Sequence, residues 1–97
     1  MSKAYWVSTY HAIHNEAARA AYSELAGPAL TAAGGKFIVR GIPQKAMEAG
    51  KLMRVVIIEF ESLAAAQAAY ESAAYQKALA VLGEDAAVRD IRIVEGL

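Results

Sequence analysis

Apolar and polar positions change period several times along the chain, and each change marks an element. Residues 4 to 12, AYWVSTYHA, are rich in aromatic and β-branched side chains, the composition of a strand. Asn15 then offers an N-cap with Glu16 in the first turn, after which Ala18, Ala21, Tyr22 and Leu25 recur at helical spacing. Pro28 after Gly27 predicts a bend or a restart, with a short second segment closed by Gly34 in a left-handed cap. Residues 36 to 41, KFIVRG, read as the second strand. Residues 42 to 51, with a proline, a glycine and little periodicity, read as the longest loop.

Residues 52 to 60, LMRVVIIEF, carry the strongest strand signal, apolar at both parities: Val56, Ile58 and Phe60 on one side, Val55 and Ile57 on the other. Both faces of that strand want cover. Ser62 caps a second helix with Leu63, Ala66 and Tyr70 on one stripe. Ser72 offers a restart, with Tyr75, Ala78, Leu79 and Leu82 before Gly83 ends the segment. Residues 88 to 96, VRDIRIVEG, form the last strand. The order, strand, helix, strand and then strand, helix, strand, is the split βαβ pattern. It predicts one α+β domain over residues 1 to 97, a ferredoxin-like βαββαβ sandwich whose two helices cover one face of a four-stranded antiparallel sheet. The other face would be bare, and an apolar patch of several hundred Å² is uncommon on a soluble monomer. Two sheets packed face to face remove the patch, so a homodimer is expected.

Composition narrows this picture. Hydrophobic residues make up 57% of 97, but 23 of the residues are alanine, so the core must come from fewer, larger side chains. Ten basic residues balance ten acidic ones, which gives neither the footprint of a nucleic-acid binder nor a polybasic membrane anchor. The run VVIIEF is too short to span a bilayer, and the N-terminus lacks a signal-peptide pattern. The cysteine count is zero, which excludes disulfides, thiolate metal sites and cysteine nucleophiles. A cytoplasmic protein is the expectation.

Candidate chemistry centres on Arg40 and Arg54, which flank the same loop and are therefore expected as neighbours. With Lys45 and Lys51 between them they offer bidentate binding of a carboxylate or phosphate; the plain alternative is solvation or pairing with Glu48. Glu59 interrupts the most apolar strand and is expected to point toward packed surface, either as a general acid or base or as a satisfied ion pair. Tyr22, Tyr70 and Tyr75 fall on helix stripes, where they either pack the core or present phenols to a cavity. His11, His14 and Glu16 lack the spacing of a metal site, and no metal is expected. Gly34, Gly35 and Lys36 precede a strand where a phosphate loop requires a helix, and no cofactor motif is present.

The segments AYWV, AGPALTAAGGKFIVRG, RVVIIEFES, YESAAYQKAL and IVEG, in this order, resemble the domain of unknown function 1330 family over nearly the whole chain. That resemblance implies a ferredoxin-like fold of the dimeric α+β barrel type, small bacterial proteins and no assigned activity. Tyr22, Gly34, Gly35, Arg40, Gly41, Arg54, Glu59, Ser72 and Tyr75 match its recurring residues. Arg19 stands where a tyrosine is usual, and Glu61 where a proline is. Two functions stay open. One is a cofactor-independent enzyme acting on a small anionic or carbonyl-bearing molecule, with Arg40, Arg54 and Tyr75 holding it and Glu59 and Tyr22 serving the chemistry. The other is a noncatalytic homodimeric binding module in which the same residues are structural.

Overall fold

The computed structural model describes residues 2–97, which order as β1 (Ala4–Ile13), α1 (Glu16–Ala32), β2 (Lys36–Gly41), β3 (Val55–Phe60), α2 (Leu63–Glu71), α3 (Ala73–Leu82) and β4 (Ala87–Glu95). The strands form one sheet in the order β2-β3-β1-β4, and every neighbouring pair is antiparallel. This is the expected ferredoxin-like α+β arrangement, with the second helix divided in two. Ser72 makes the division. Its backbone is extended at φ −62°, ψ 147°, while its Oγ donates to the Ala69 carbonyl at 2.8 Å and accepts from the Tyr75 amide at 3.3 Å. One side chain thus ends α2 and caps α3.

Every second residue of β1 from Ala4 to Tyr10 is buried against the helices, and Trp6, Leu30, Ile58, Phe60 and Tyr75 are the largest fully buried side chains. Trp6 meets Tyr75 edge-on at 5.1 Å between ring centroids, which joins sheet to α3 at the middle of the core. The thinnest dimension of the molecule is 17 Å, which leaves room for one helical layer on one face of the sheet. Among the described residues no helix is long and apolar enough to cross a membrane.

Three sequence expectations are corrected. α1 runs unbroken through Pro28, because Pro28 and Glu24, whose carbonyl loses its donor, both lie on the exposed side, where a helix bows outward at least cost. Its buried stripe is Tyr22, Ala26, Ala29 and Leu30, and Leu25 stays exposed. β3 begins at Val55 and not at residue 52, since Gly41 opposite Val55 is the last residue β2 offers for pairing. Arg54 therefore precedes the strand, though its carbonyl still accepts the Tyr10 amide at 3.2 Å.

The turn from α1 into β2 is set by two glycines with different duties. Gly34 takes the left-handed conformation, φ 97°, and donates to the Thr31 carbonyl at 3.0 Å, while Gly35 donates to Leu30 at 2.8 Å, which together close a Schellman cap. Gly35 is needed for space: a Cβ there would sit 2.8 Å from both Ile58 Cγ2 and the Leu30 carbonyl oxygen. Gly35→Ala is expected to lower stability by about 1–3 kcal/mol through overpacking. A urea midpoint equal to that of the wild type would refute this account of the turn.

Candidate functional site

Antiparallel register stacks the helix-facing side chains into rows that cross the sheet. Phe37, Ile58, Trp6 and Ile93 form an apolar row; Arg40, Val56, Ser8 and Ile91 form the next. Tyr10 pairs with Arg89, and its amide bonds to Arg54 on the other side, so a third row holds two arginines and a phenol. Polarity thus rises along the strands, from Trp6 to Ser8 to Tyr10. Above this slope, α1 contributes Tyr22, Ser23, Ala26, Gly27 and Leu30, and the small Ala26 and Gly27 leave a narrow pocket open between helix and sheet. A water-sized sphere has about 40 Å³ of room in it, and the space of about 430 Å³ between its walls includes open solvent at the mouth.

Arg40 reaches this face only because β2 is irregular. The register shifts between Phe37 and Val39, so Ile38 is an extra residue, and Phe37 and Arg40 both face the helices, opposite Ile58 and Val56. Strict alternation would have put Phe37, Val39 and Gly41 on one side and Arg40 on the other. The bulge re-aims the arginine, whose guanidinium lies 5.1 Å from the Phe37 ring centroid at the mouth of the pocket.

The structure brings Arg40 and Arg54 together in one pocket lining and adds Arg89. Arg89 Nη1 donates to the Tyr22 hydroxyl at 3.0 Å and Nη2 to the Tyr75 hydroxyl at 3.3 Å, and the two hydroxyls share a hydrogen bond of 2.7 Å. The guanidinium also lies over the Tyr22 ring at 4.5 Å. Burial works against the charge of Arg89, but the oxygens of Tyr22 and Tyr75 more than offset it and the group stays a cation. Burial, then the neighbouring Tyr22, pushes the Tyr75 phenol far above its ordinary value, and burial also raises Tyr10, so both remain neutral.

Proton counting completes the arrangement. A phenol has one proton to donate and two lone pairs. Either phenol can donate in the bond they share; when Tyr75, fully buried and with no other acceptor among the described residues, is the donor, the Tyr22 proton is left for the pocket that Tyr22 lines. Tyr75 is fully buried behind it and does not line the pocket, so the expected direct contact of Tyr75 with a ligand is replaced by support of Tyr22. Tyr70 is half-exposed and packs against Trp6 and Tyr75 from α2.

Among the described residues, Arg40, Arg54 and Arg89 take part in no ion pair; the four that form join Lys3 to Glu59, His11 to Asp90, Arg19 to Glu16 and Arg92 to Asp90. Three cations converging on one pocket repel one another, and an anion among them relieves that repulsion while accepting charge-assisted hydrogen bonds. Arg89 was not a candidate from sequence, yet its signal was there: Arg89, Ile91 and Ile93 share one parity of β4, the parity that faces the core.

Glu59 lies elsewhere. It belongs to the parity of Val55 and Ile57, which faces away from the helices, so the expectation of a carboxylate between sheet and helices is corrected. There it accepts from Lys3 Nζ at 3.2 Å and from the Tyr5 hydroxyl at 3.1 Å, and these bonds hold its carboxyl below the ordinary range. His11 also sits outside the pocket lining, bonded to Asp90 at 2.6 Å.

The family model described as a domain of unknown function, DUF1330, matches residues 3–97. A protein of unknown function from Rhodopseudomonas palustris has a similar structure, with a TM-score of 0.74 at 20% identity over 99% of this chain and 83% of that one. A candidate antibiotic biosynthesis monooxygenase from Caulobacter crescentus superposes with a TM-score of 0.64 at 13% identity, over 99% of this chain and 91% of its own. Another from Nitrosomonas europaea gives 0.59 at 19%, over 99% and 90%. At these identities the likeness is one of fold. No curated protein matches the sequence at a significant level.

The depressed carboxyl of Glu59 carries a pH dependence of definite sign. Its folded pKa lies below the unfolded value, so its stabilising contribution is present above the unfolded pKa and disappears as pH falls through the folded one. Glu59→Gln is therefore expected to be less stable than wild type at neutral pH, with the gap closing in strong acid. Melting curves that keep the same gap at pH 7 and pH 2.5 would contradict it.

Proposed function

The chain belongs to the DUF1330 family, and from the graded polarity of its pocket we propose that it binds a small organic acid between α1 and the sheet. The observation that carries this reading is that Arg40, Arg54 and Arg89, none of them in an ion pair, line one pocket whose other end is formed by the apolar Trp6, Leu30, Phe37 and Ile58. The carboxylate meets the arginines, the Tyr22 hydroxyl adds a neutral donor, and Trp6, Leu30 and Ile58 take the apolar body. Glu59 has no part in this site, because it faces the opposite side of the sheet.

A catalytic version of the same reading is favoured by one feature, the Tyr22 phenol braced by Tyr75 and Arg89. A carbonyl oxygen accepting the Tyr22 proton in a hydrogen bond would be held where developing negative charge is stabilised by fixed donors and a nearby cation. In this version Tyr22 orients and polarises, and the arginines hold the anion.

Isothermal titration with benzoate tests the binding reading. Hydrogen bonds to charged groups are worth about 1.5–3 kcal/mol, so Arg40→Ala and Arg54→Ala should each weaken binding by roughly tenfold to a hundredfold. Unchanged affinity in both variants would remove the anion site.

The uncovered face of the sheet supports a second part of the proposal, a homodimer. Val7, Val55 and Ile57 lie on it half-buried, Val39 and Val94 lie on it exposed, and the loop between β2 and β3 adds exposed Ile42, Met47 and Leu52. Packing two such faces together buries apolar area at roughly 25 cal/mol per Å². Light scattering at micromolar concentration should give the dimer mass for wild type and the monomer mass for Ile57→Lys; a monomeric wild type would overturn the assembly.

A further inference from the structure

Ser8 is 3% exposed, and its Oγ has no hydrogen-bond partner among the described residues. Its neighbours across the sheet are Val56 and Ile91, which have no polar side-chain atom to offer. A hydroxyl buried in this way costs about 1–3 kcal/mol, and alanine or valine would fill the same position of β1 at no such cost. Ser8 lines the pocket midway along its slope, between Trp6 at the apolar end and Tyr10 in the row of Arg54 and Arg89. Two residues of strand separate Ser8 from Tyr10, roughly 7 Å along β1.

We propose that the organic acid held here carries a second oxygen, a hydroxyl or carbonyl, that hydrogen-bonds to Ser8 Oγ while its carboxylate sits among the arginines. The inference rests on the reading of the pocket as a carboxylate site and adds the class of ligand: a compact hydroxy- or oxo-acid with a ring body. A serine hydroxyl both donates and accepts, so it serves either kind of oxygen. With the carboxylate at the arginines and the second oxygen at Ser8, a ring between them lies under Tyr22 and Ala26 of α1, which line the same pocket. A hydroxyl across a benzene ring from a carboxylate spans a distance of the order that separates Ser8 from the Tyr10 row. Arg40 shares the row of Ser8 and closes the mouth beside it.

The test compares benzoate with 3-hydroxybenzoate and 4-hydroxybenzoate by calorimetry on wild type and Ser8→Ala. One neutral hydrogen bond to an otherwise unpartnered group should make the better hydroxybenzoate bind about tenfold tighter than benzoate. Ser8→Ala should abolish that preference and melt no lower than wild type. Equal affinities for all three acids in wild type, or a preference that survives Ser8→Ala, would overturn the proposal. So would a lower melting temperature for Ser8→Ala, which would show the hydroxyl already satisfied. A different result, benzoate that fails to bind or binds without regard to Arg40→Ala and Arg54→Ala, overturns the carboxylate site beneath it.

Discussion

The guanidinium of Arg89, bonded to phenol oxygens from two helices, is the contact on which the rest of this molecule depends. It ties β4 to Tyr22 of α1 and Tyr75 of α3, and Tyr75 in turn abuts Trp6 at the centre of the sheet. An arginine taken partly out of water usually has its charge met by a carboxylate, and Arg89 is half-buried. Here its hydrogen bonds are met and its charge is not. Had either tyrosine been a glutamate, the same geometry would have neutralised the pocket. With phenols in place of a carboxylate, and burial keeping Tyr75 protonated, the positive field remains for whatever enters.

The pocket itself follows from how alternation works in a sheet. Period-two patterning assigns each residue to one of two faces, and here the same three rows that build the core become polar as they pass Ser8. Arg54 arrives by preceding its strand, Arg89 by ordinary parity, and Arg40 by the extra residue at Ile38. The small Ala26 and Gly27 of α1 turn this polar end into a space instead of a contact.

Element order was legible in sequence because each signal is local: Asn15, Ser62 and Ser72 accept from the amides three residues on, and Gly34 and Gly83 take positive φ at helix ends. That Arg40 and Arg54 lie at the same end of the β2–β3 hairpin was legible too, since a hairpin loop fixes its own ends. Facing was not. The β3 sequence is apolar at both parities, so nothing in it distinguishes the face of Val56 and Ile58 from the face of Val55, Ile57 and Glu59. A bulge such as that at Ile38 leaves no residue-type mark at all, and it decides where Arg40 points. Arg89 escaped for a different reason: its parity was readable, but an arginine at a core-facing position becomes meaningful only once two tyrosines from distant segments are known to meet it.

These features also set a relation between binding and stability. Converging cations and an unpartnered Ser8 hydroxyl lower the stability of the folded chain relative to an apolar filling of the same space. Sites that break local rules in this way, within a fold otherwise consistent at every level, are where function is expected. An anion that takes up these groups binds the folded state alone, because the unfolded chain does not gather Arg40, Arg54 and Arg89 in one place. Its binding energy therefore adds to folding free energy, by about 2.7 kcal/mol at a hundred times its dissociation constant. The groups that cost the empty protein most are then the ones through which a ligand stabilises it.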